Sequence, residues 1–106
     1  DGRGDWPAAR KAYGAAVALA RDLPAAYYSW GLALLRHGDL PAAEEKLRSA
    51  HERGPHWADP LKAWGDVLMK QGRARDALAK YDEASKYAPL WAAPAEARAS
   101  AAQPAP

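Results

Sequence analysis

The chain has 106 residues, of which 49% are hydrophobic and 26% charged, and its formal net charge is +2 at pH 7. This length suits one domain, and the charged fraction is normal for a folded protein rather than a disordered one. The lack of cysteine excludes disulfides and thiolate metal sites, and basic residues interleaved with acidic ones do not form the clustered basic face that nucleic acid requires.

The predicted elements are all helices, and the sequence contains no alternating strand pattern. After a short turn at residues 1–4, helices are predicted at about 6–21, 24–37, 40–53, 59–71, 73–87 and 94–102, with a frayed end at 103–106. Asp5 and Asp39 are the expected N-caps, and Gly38 is expected to supply a left-handed C-cap. Because the tail is rich in Ala and Pro, the alternative is disorder from about Ala92 onward.

The chain repeats itself every 34 residues. The recurring pairs are Trp30 and Trp64, Gly31 and Gly65, Leu34 and Leu68, Gly38 and Gly72, Ala43 and Ala77, Ala50 and Ala84, and Pro55 and Pro89. A fixed period of this length is typical of a solenoid of stacked helix pairs. It divides the chain into a single helix at 5–21, which corresponds to the second helix of a repeat, then two complete repeats at 24–57 and 58–91, and a capping helix with an Ala/Pro tail at 92–106.

Small residues are predicted where two antiparallel helices approach closely, because a bulky side chain would hold the backbones apart. The predicted close contacts are Gly31 with Ala43 and Gly65 with Ala77 inside the repeats, and Ala50 and Ala84 between units. Trp57 and Trp91 are predicted as wedges between units, and Leu23 lies at the equivalent position.

This helix–turn–helix pattern resembles the tetratricopeptide repeat family, and its Ala-rich style is similar to bacterial members. The matching residues are Trp30, Gly31, Leu34, Gly38, Ala43, Leu47, Ala50 and Pro55, and then Trp64, Gly65, Leu68, Gly72, Ala77, Tyr81, Ala84 and Pro89. The resemblance covers about residues 4–91. The chain departs from the repeat pattern at three positions. Arg21 replaces the terminal proline, Arg73 occupies the position equivalent to Asp5 and Asp39, and Ala74 occupies the position equivalent to Trp6 and Leu40.

The resemblance implies an all-α, right-handed solenoid of antiparallel helix pairs, in which the first helix of each pair lines a concave groove. It places a peptide-binding surface at Tyr28, Leu32, Arg36, Asp59, Lys62, Asp66 and Met69. Some members hold a peptide carboxylate with a clamp that includes asparagine. Leu32 and Ala63 occupy those positions here and the chain has no Asn, so this clamp is not expected.

Several charged residues also have a plainer interpretation. Lys62 and Asp66 are four residues apart and could simply pair along an exposed helix, and Glu44 with Arg48 is predicted to be a solvated ion pair. The three histidines lack the spacing of a helical zinc site. No metal, cofactor or catalytic nucleophile is therefore expected.

The predicted function is a non-catalytic scaffold that binds a protein or peptide, with no nucleic-acid partner and no membrane insertion. One alternative is homo-oligomerisation, because Trp6, Tyr13 and Val17 lie on a helix face that a preceding helix would cover. Another is a regulatory segment of a larger enzyme. No signal peptide or membrane-spanning run is visible, which favours the cytoplasm.

Overall fold

The computed structural model describes residues 5–103 of the chain. The turn predicted at residues 1–4 and most of the predicted frayed end, at 104–106, lie outside the described residues. The described part contains six helices and no strand. The prediction of an all-α fold is therefore confirmed.

The six helices are α1 (Trp6–Leu19), α2 (Pro24–His37), α3 (Leu40–Arg53), α4 (Ala58–Lys70), α5 (Ala74–Tyr87) and α6 (Ala92–Ala102). Their ends lie within about two residues of the predicted ones. Disorder from Ala92 onward, the alternative for the tail, is wrong because α6 is a regular helix that packs against α5 and α4.

Local residue chemistry explains most of the helix ends. Gly38 and Gly72 have φ values of 94° and 76°, a left-handed conformation that glycine adopts without strain. The Asp39 side chain accepts a hydrogen bond from the Ala42 backbone N–H at 3.3 Å, so the predicted cap of α3 is confirmed. The predicted cap at Asp5 is wrong, since its backbone is already helical and its side chain makes no cap hydrogen bond.

In each repeat, a large side chain of the second helix packs against a glycine of the first helix. A Cβ added at Gly31 would lie 2.7 Å from Leu47 Cγ and Cδ2, and one added at Gly65 would overlap the Tyr81 ring. Ala43 and Ala77, the small residues predicted at the same contacts, are both completely buried, and the side chains nearest to the two glycines are those of Leu47 and Tyr81. The glycine makes room for a facing side chain and does not simply bring two backbones together.

The core is continuous from α2 to α5. Leu47, Leu61, Val67, Leu68 and Tyr81 are at most 2% exposed, and Ala50 and Ala84, the small residues predicted between units, are completely buried. Trp57 and Trp91 are partly buried where α4 and α6 begin. Leu23, at the equivalent position before α2, is 59% exposed.

The first helix is attached more loosely than the others. None of its residues is buried, and it contacts only α2. Trp6, predicted on an open face, is instead partly buried and stacks on His37 with ring centroids 4.1 Å apart. Tyr13 and Val17 are also partly buried.

The helices form two layers, and their spacing shows which way the array curves. The backbone of α4 approaches those of both α2 and α6 within 8 Å, whereas within residues 5–103 the backbones of α1, α3 and α5 do not approach one another. The layer of α2, α4 and α6 is therefore the concave one, which we call the inner face. The layer of α1, α3 and α5 is the outer face.

Candidate functional site

The inner face brings four of the seven predicted binding residues together. Tyr28, near the start of α2, lies beside the first three turns of α4, which carry Asp59, Lys62 and Asp66. The Tyr28 ring meets the Trp57 ring edge-on, with centroids 4.8 Å apart and planes at 61°, a favourable aromatic geometry. This contact fixes the tyrosine ring at the junction of the two repeats.

The Tyr28 hydroxyl lies in an environment that keeps it protonated. Burial raises its pKa above 10.0, and the negative charges of Asp59 and then Asp66 raise it further. At neutral pH the residue therefore offers an O–H donor beside carboxylates, on a ring that is only partly buried. Such a side chain can present both an apolar surface and a hydrogen bond to a ligand.

Asp66 is committed to contacts within the protein. One carboxylate oxygen accepts a hydrogen bond from Lys62 Nζ at 2.7 Å, and the other accepts one from the Tyr81 hydroxyl at 2.7 Å. The predicted pairing of Lys62 and Asp66 along the helix is thus confirmed. Burial raises the pKa of Tyr81, as do its hydrogen bond to Asp66 and the charge of that carboxylate. Asp66 consequently ties the inner face to the core of its own repeat.

Asp59 differs from Asp66 in having no cationic partner. No Lys, Arg or His nitrogen of the described residues lies within 4.0 Å of its carboxylate, and the side chain is partly exposed in the first turn of α4. It is therefore the acid of this group that is available to an incoming cation.

The other three predicted residues lie further along the helices. Leu32 is partly buried and packs on the core, Arg36 is exposed in the last turn of α2, and Met69 is 36% exposed near the end of α4. Eight residues of helix separate Tyr28 from Arg36, which is about 12 Å. The seven residues therefore form two groups along the groove rather than one cluster.

Two features of the surface were missed by the sequence analysis. The helix α6 lies beside α4 and so extends the inner face. The predicted ion pair of Glu44 and Arg48 is present, with the charged groups 3.8 Å apart. Glu44 is not solvated as predicted, because its side chain is 14% exposed and accepts hydrogen bonds from Trp64 Nε1 at 3.1 Å and from Arg73. Trp64 is 20 residues away in sequence, so no helical spacing could have revealed this contact.

The same tryptophan position behaves differently one repeat earlier. Trp30 Nε1 is buried without a hydrogen-bond partner among the described residues. Arg10 lies 34 residues before Glu44. A cation is therefore found where the next repeat has the carboxylate that accepts from Trp64 Nε1. The two repeats share a framework but differ in the polar groups around it.

Within residues 5–103 there is no group of three or more side chains that could hold a metal ion. None of the helices there is both long enough and apolar enough to cross a membrane.

Comparison with known protein families gives a match. A family model described as "Tetratricopeptide repeat" matches residues 1–56, which is slightly more than half of the chain and includes all of α1, α2 and α3. No curated protein matches the chain.

Proposed function

Since the chain belongs to the tetratricopeptide repeat family, we propose that its inner face holds an extended segment of a protein partner. Members of the family typically serve as non-catalytic scaffolds for protein interactions. The general role of this chain is accordingly that of an interaction scaffold. The proposal concerns where and how it binds.

The observation that supports this site best is the group formed by Tyr28, Trp57 and Asp59. A partly buried aromatic ring with a protonated hydroxyl lies next to a carboxylate that has no cationic partner among residues 5–103. Binding energy in protein complexes concentrates in such well-packed anchors. An apolar side chain of the ligand would pack on Tyr28 and Leu32, and a basic side chain would pair with Asp59.

The remaining predicted residues have secondary parts in this proposal. Arg36 and Met69 would contact the ligand about 12 Å further along the groove, so the bound segment would be extended. Lys62 and Asp66, which pair with each other, would shape the surface more than they would bind charge. Few anchors and a short array imply an affinity of about micromolar.

The test begins with selection of peptides from a displayed random library, followed by calorimetric titration of the selected peptide. Tyr28→Ala should weaken binding by about tenfold or more, and Asp59→Asn should do so if the peptide is basic. The matched control is Glu52→Ala/Arg75→Ala, which removes one charge of each sign from exposed positions on the outer face. Thermal melts of every variant report whether the fold persists.

The outcome can contradict the proposal in two ways. Equal losses in the Tyr28 variant and the outer-face control would put the binding surface elsewhere. Selected peptides without any basic residue, bound equally well by Asp59→Asn, would remove the role given to this carboxylate.

A second candidate function is self-association through α1. The supporting observation is that α1 buries none of its residues and that Leu19 at its end is 91% exposed. Leu19→Glu should then reduce the mass measured by light scattering at high concentration, whereas Leu90→Glu, at the fully exposed Leu90, should not. A monomer across all concentrations would exclude this candidate.

A further inference from the structure

The outer face contains a cleft that the proposed function does not use. It has a volume of about 330 Å³ and lies between α3 and α5, with Trp64 and Leu68 of α4 also lining it. Its position follows from the curvature, since α3 and α5 diverge where α2, α4 and α6 converge. The volume is at the lower end of the range for small-ligand sites.

Three cations surround the Trp64 side chain in this cleft. Lys80 Nζ lies 4.0 Å from the Trp64 ring centroid and Arg48 Cζ lies 5.7 Å from it. The Arg73 guanidinium, also in the lining, contacts Glu44 at 3.3 Å and Asp76 at 3.2 Å. Among the described residues, no carboxylate lies within 4.0 Å of Lys80 Nζ. The lysine therefore retains its capacity to bind an anion.

The two acids in the lining, Glu44 and Asp76, do not neutralise its three cations fully. Glu44 accepts hydrogen bonds from Trp64 Nε1 and from Arg73, and its side chain is only 14% exposed. Arg48 lies 3.8 Å from Glu44 and remains half exposed. Arg48 and Lys80 thus keep donors directed at the same apolar floor from two different helices.

The preceding repeat shows which parts of this arrangement the fold requires. There Lys46 lies 4.2 Å from the Trp30 ring centroid, as Lys80 does from Trp64, so the lysine–tryptophan contact belongs to the shared framework. Lys46, however, is paired with Glu45 at 3.3 Å. The repeat framework alone therefore does not produce an unpaired lysine.

The two arginines of this cleft have no counterpart in the preceding repeat. Gly14 and Asp39 lie 34 residues before Arg48 and Arg73. Asp39 caps α3, whereas Arg73 makes no cap hydrogen bond to α5 and its guanidinium lies in the cleft instead. The second repeat thus lacks a side-chain helix cap, a stabilising contact, at the position where this cation lies.

We propose that this outer cleft binds an organic carboxylate. The carboxylate pairs with Lys80 and Arg48, since a guanidinium and an ammonium are the groups that bind carboxylates best. The apolar part of the ligand lies over Trp64 and Leu68. Either a free carboxylic acid or the C-terminal residue of a peptide has this chemistry, and the volume limits both to about one aromatic or branched side chain.

The test follows the tryptophan indole N–H resonances of the labelled protein by two-dimensional NMR. The probes are benzoate for a free acid, N-acetylphenylalanine for a peptide C-terminus, and N-acetylphenylalaninamide as the uncharged control. We expect the Trp64 resonance to shift saturably with at least one acid, with a Kd of about 1 mM, while the Trp30 resonance stays in place. The acid that binds more tightly identifies the source.

Lys80→Gln and Lys46→Gln form a matched pair of variants, because each removes one ammonium from above a tryptophan. The first should weaken acid binding by about tenfold, and the second should leave it unchanged. Thermal melts of both variants test whether they remain folded. If Lys80→Gln does not remain folded, Arg48→Gln provides a second substitution at the site.

Four results would overturn the proposal. The Trp64 resonance could fail to shift with either acid, or the amide could bind as well as the acid, which would make the cleft merely apolar. The two lysine variants could weaken binding equally, which would indicate general charge attraction. Finally, Lys80→Gln and Arg48→Gln could both bind like the wild type.

Discussion

Gly65→Ala is expected to destabilise this protein although it removes a glycine from the interior of a helix. Helix propensity alone favours alanine by about 1 kcal/mol. The added Cβ, however, would overlap the ring of Tyr81, a side chain that is 2% exposed and whose hydroxyl donates to Asp66. Because the ring is enclosed by the core and held by that hydrogen bond, it cannot simply rotate away.

The magnitude follows from the contacts involved. Overpacking a core costs about 1–3 kcal/mol, and disturbing a hydrogen bond to a charged group adds about 1.5–3 kcal/mol. After the propensity gain is subtracted, the free energy of unfolding should fall by about 2–5 kcal/mol. In a domain of this size that corresponds to a decrease in Tm of about 10 °C or more.

Gly14→Ala is the matched control, because it makes the same chemical change inside α1. A Cβ at Gly14 would meet only Trp30 Cη2 at 3.8 Å, an ordinary contact. Its free energy of unfolding should stay the same or rise by up to about 1 kcal/mol. Urea unfolding followed by far-UV circular dichroism measures both variants. The reasoning would be refuted if Gly65→Ala were as stable as the wild type, or if both variants changed alike.

Three further changes test individual contacts by the same unfolding assay. Asp39→Ala should cost about 1 kcal/mol by removing a helix cap, whereas Asp5→Ala, which removes no cap, should cost nothing; equal losses would contradict the capping geometry. Because the folded-state pKa of Tyr81 is raised above 10.0, its contribution is complete below pH 10 and is lost as pH rises further, so Tyr81→Phe should lose less stability than the wild type above pH 10. Arg10→Glu should stabilise the protein by about 1 kcal/mol by offering the buried Trp30 Nε1 an acceptor, and Arg10→Ala, the control, should not.

The helices were predictable because local signals mark their ends. Gly38 and Gly72 supply left-handed caps, Asp39 supplies a side-chain cap, and the 34-residue period aligns one repeat with the next. The caps depend on a few neighbouring residues and the period on equal spacing, so both can be recognised in a single sequence. Leu23 shows the limit of the period, since it occupies the position of two partly buried tryptophans yet is 59% exposed.

Contacts between helices were less predictable. A period identifies Gly31 and Gly65 as small, but it does not say which facing side chain fills the space; Leu47 and Tyr81 do so. Glu44 is a similar case, because its partner Trp64 lies on another helix and the choice of acceptor depends on packing. The binding role of the inner-face residues stays a prediction, as pairing within the protein already accounts for some of them.

Recurrence along the chain separates two kinds of constraint in this fold. Glycine and alanine recur at the close contacts because every repeat must satisfy the same packing geometry. Packing does not impose the same requirement on the two surfaces, and there the repeats differ: Tyr28 on the inner face is replaced by Lys62 one repeat later, and Gly14 on the outer face by Arg48. Recurring residues therefore identify the scaffold, whereas the surface residues that fail to recur are the ones whose substitution should alter binding more than stability.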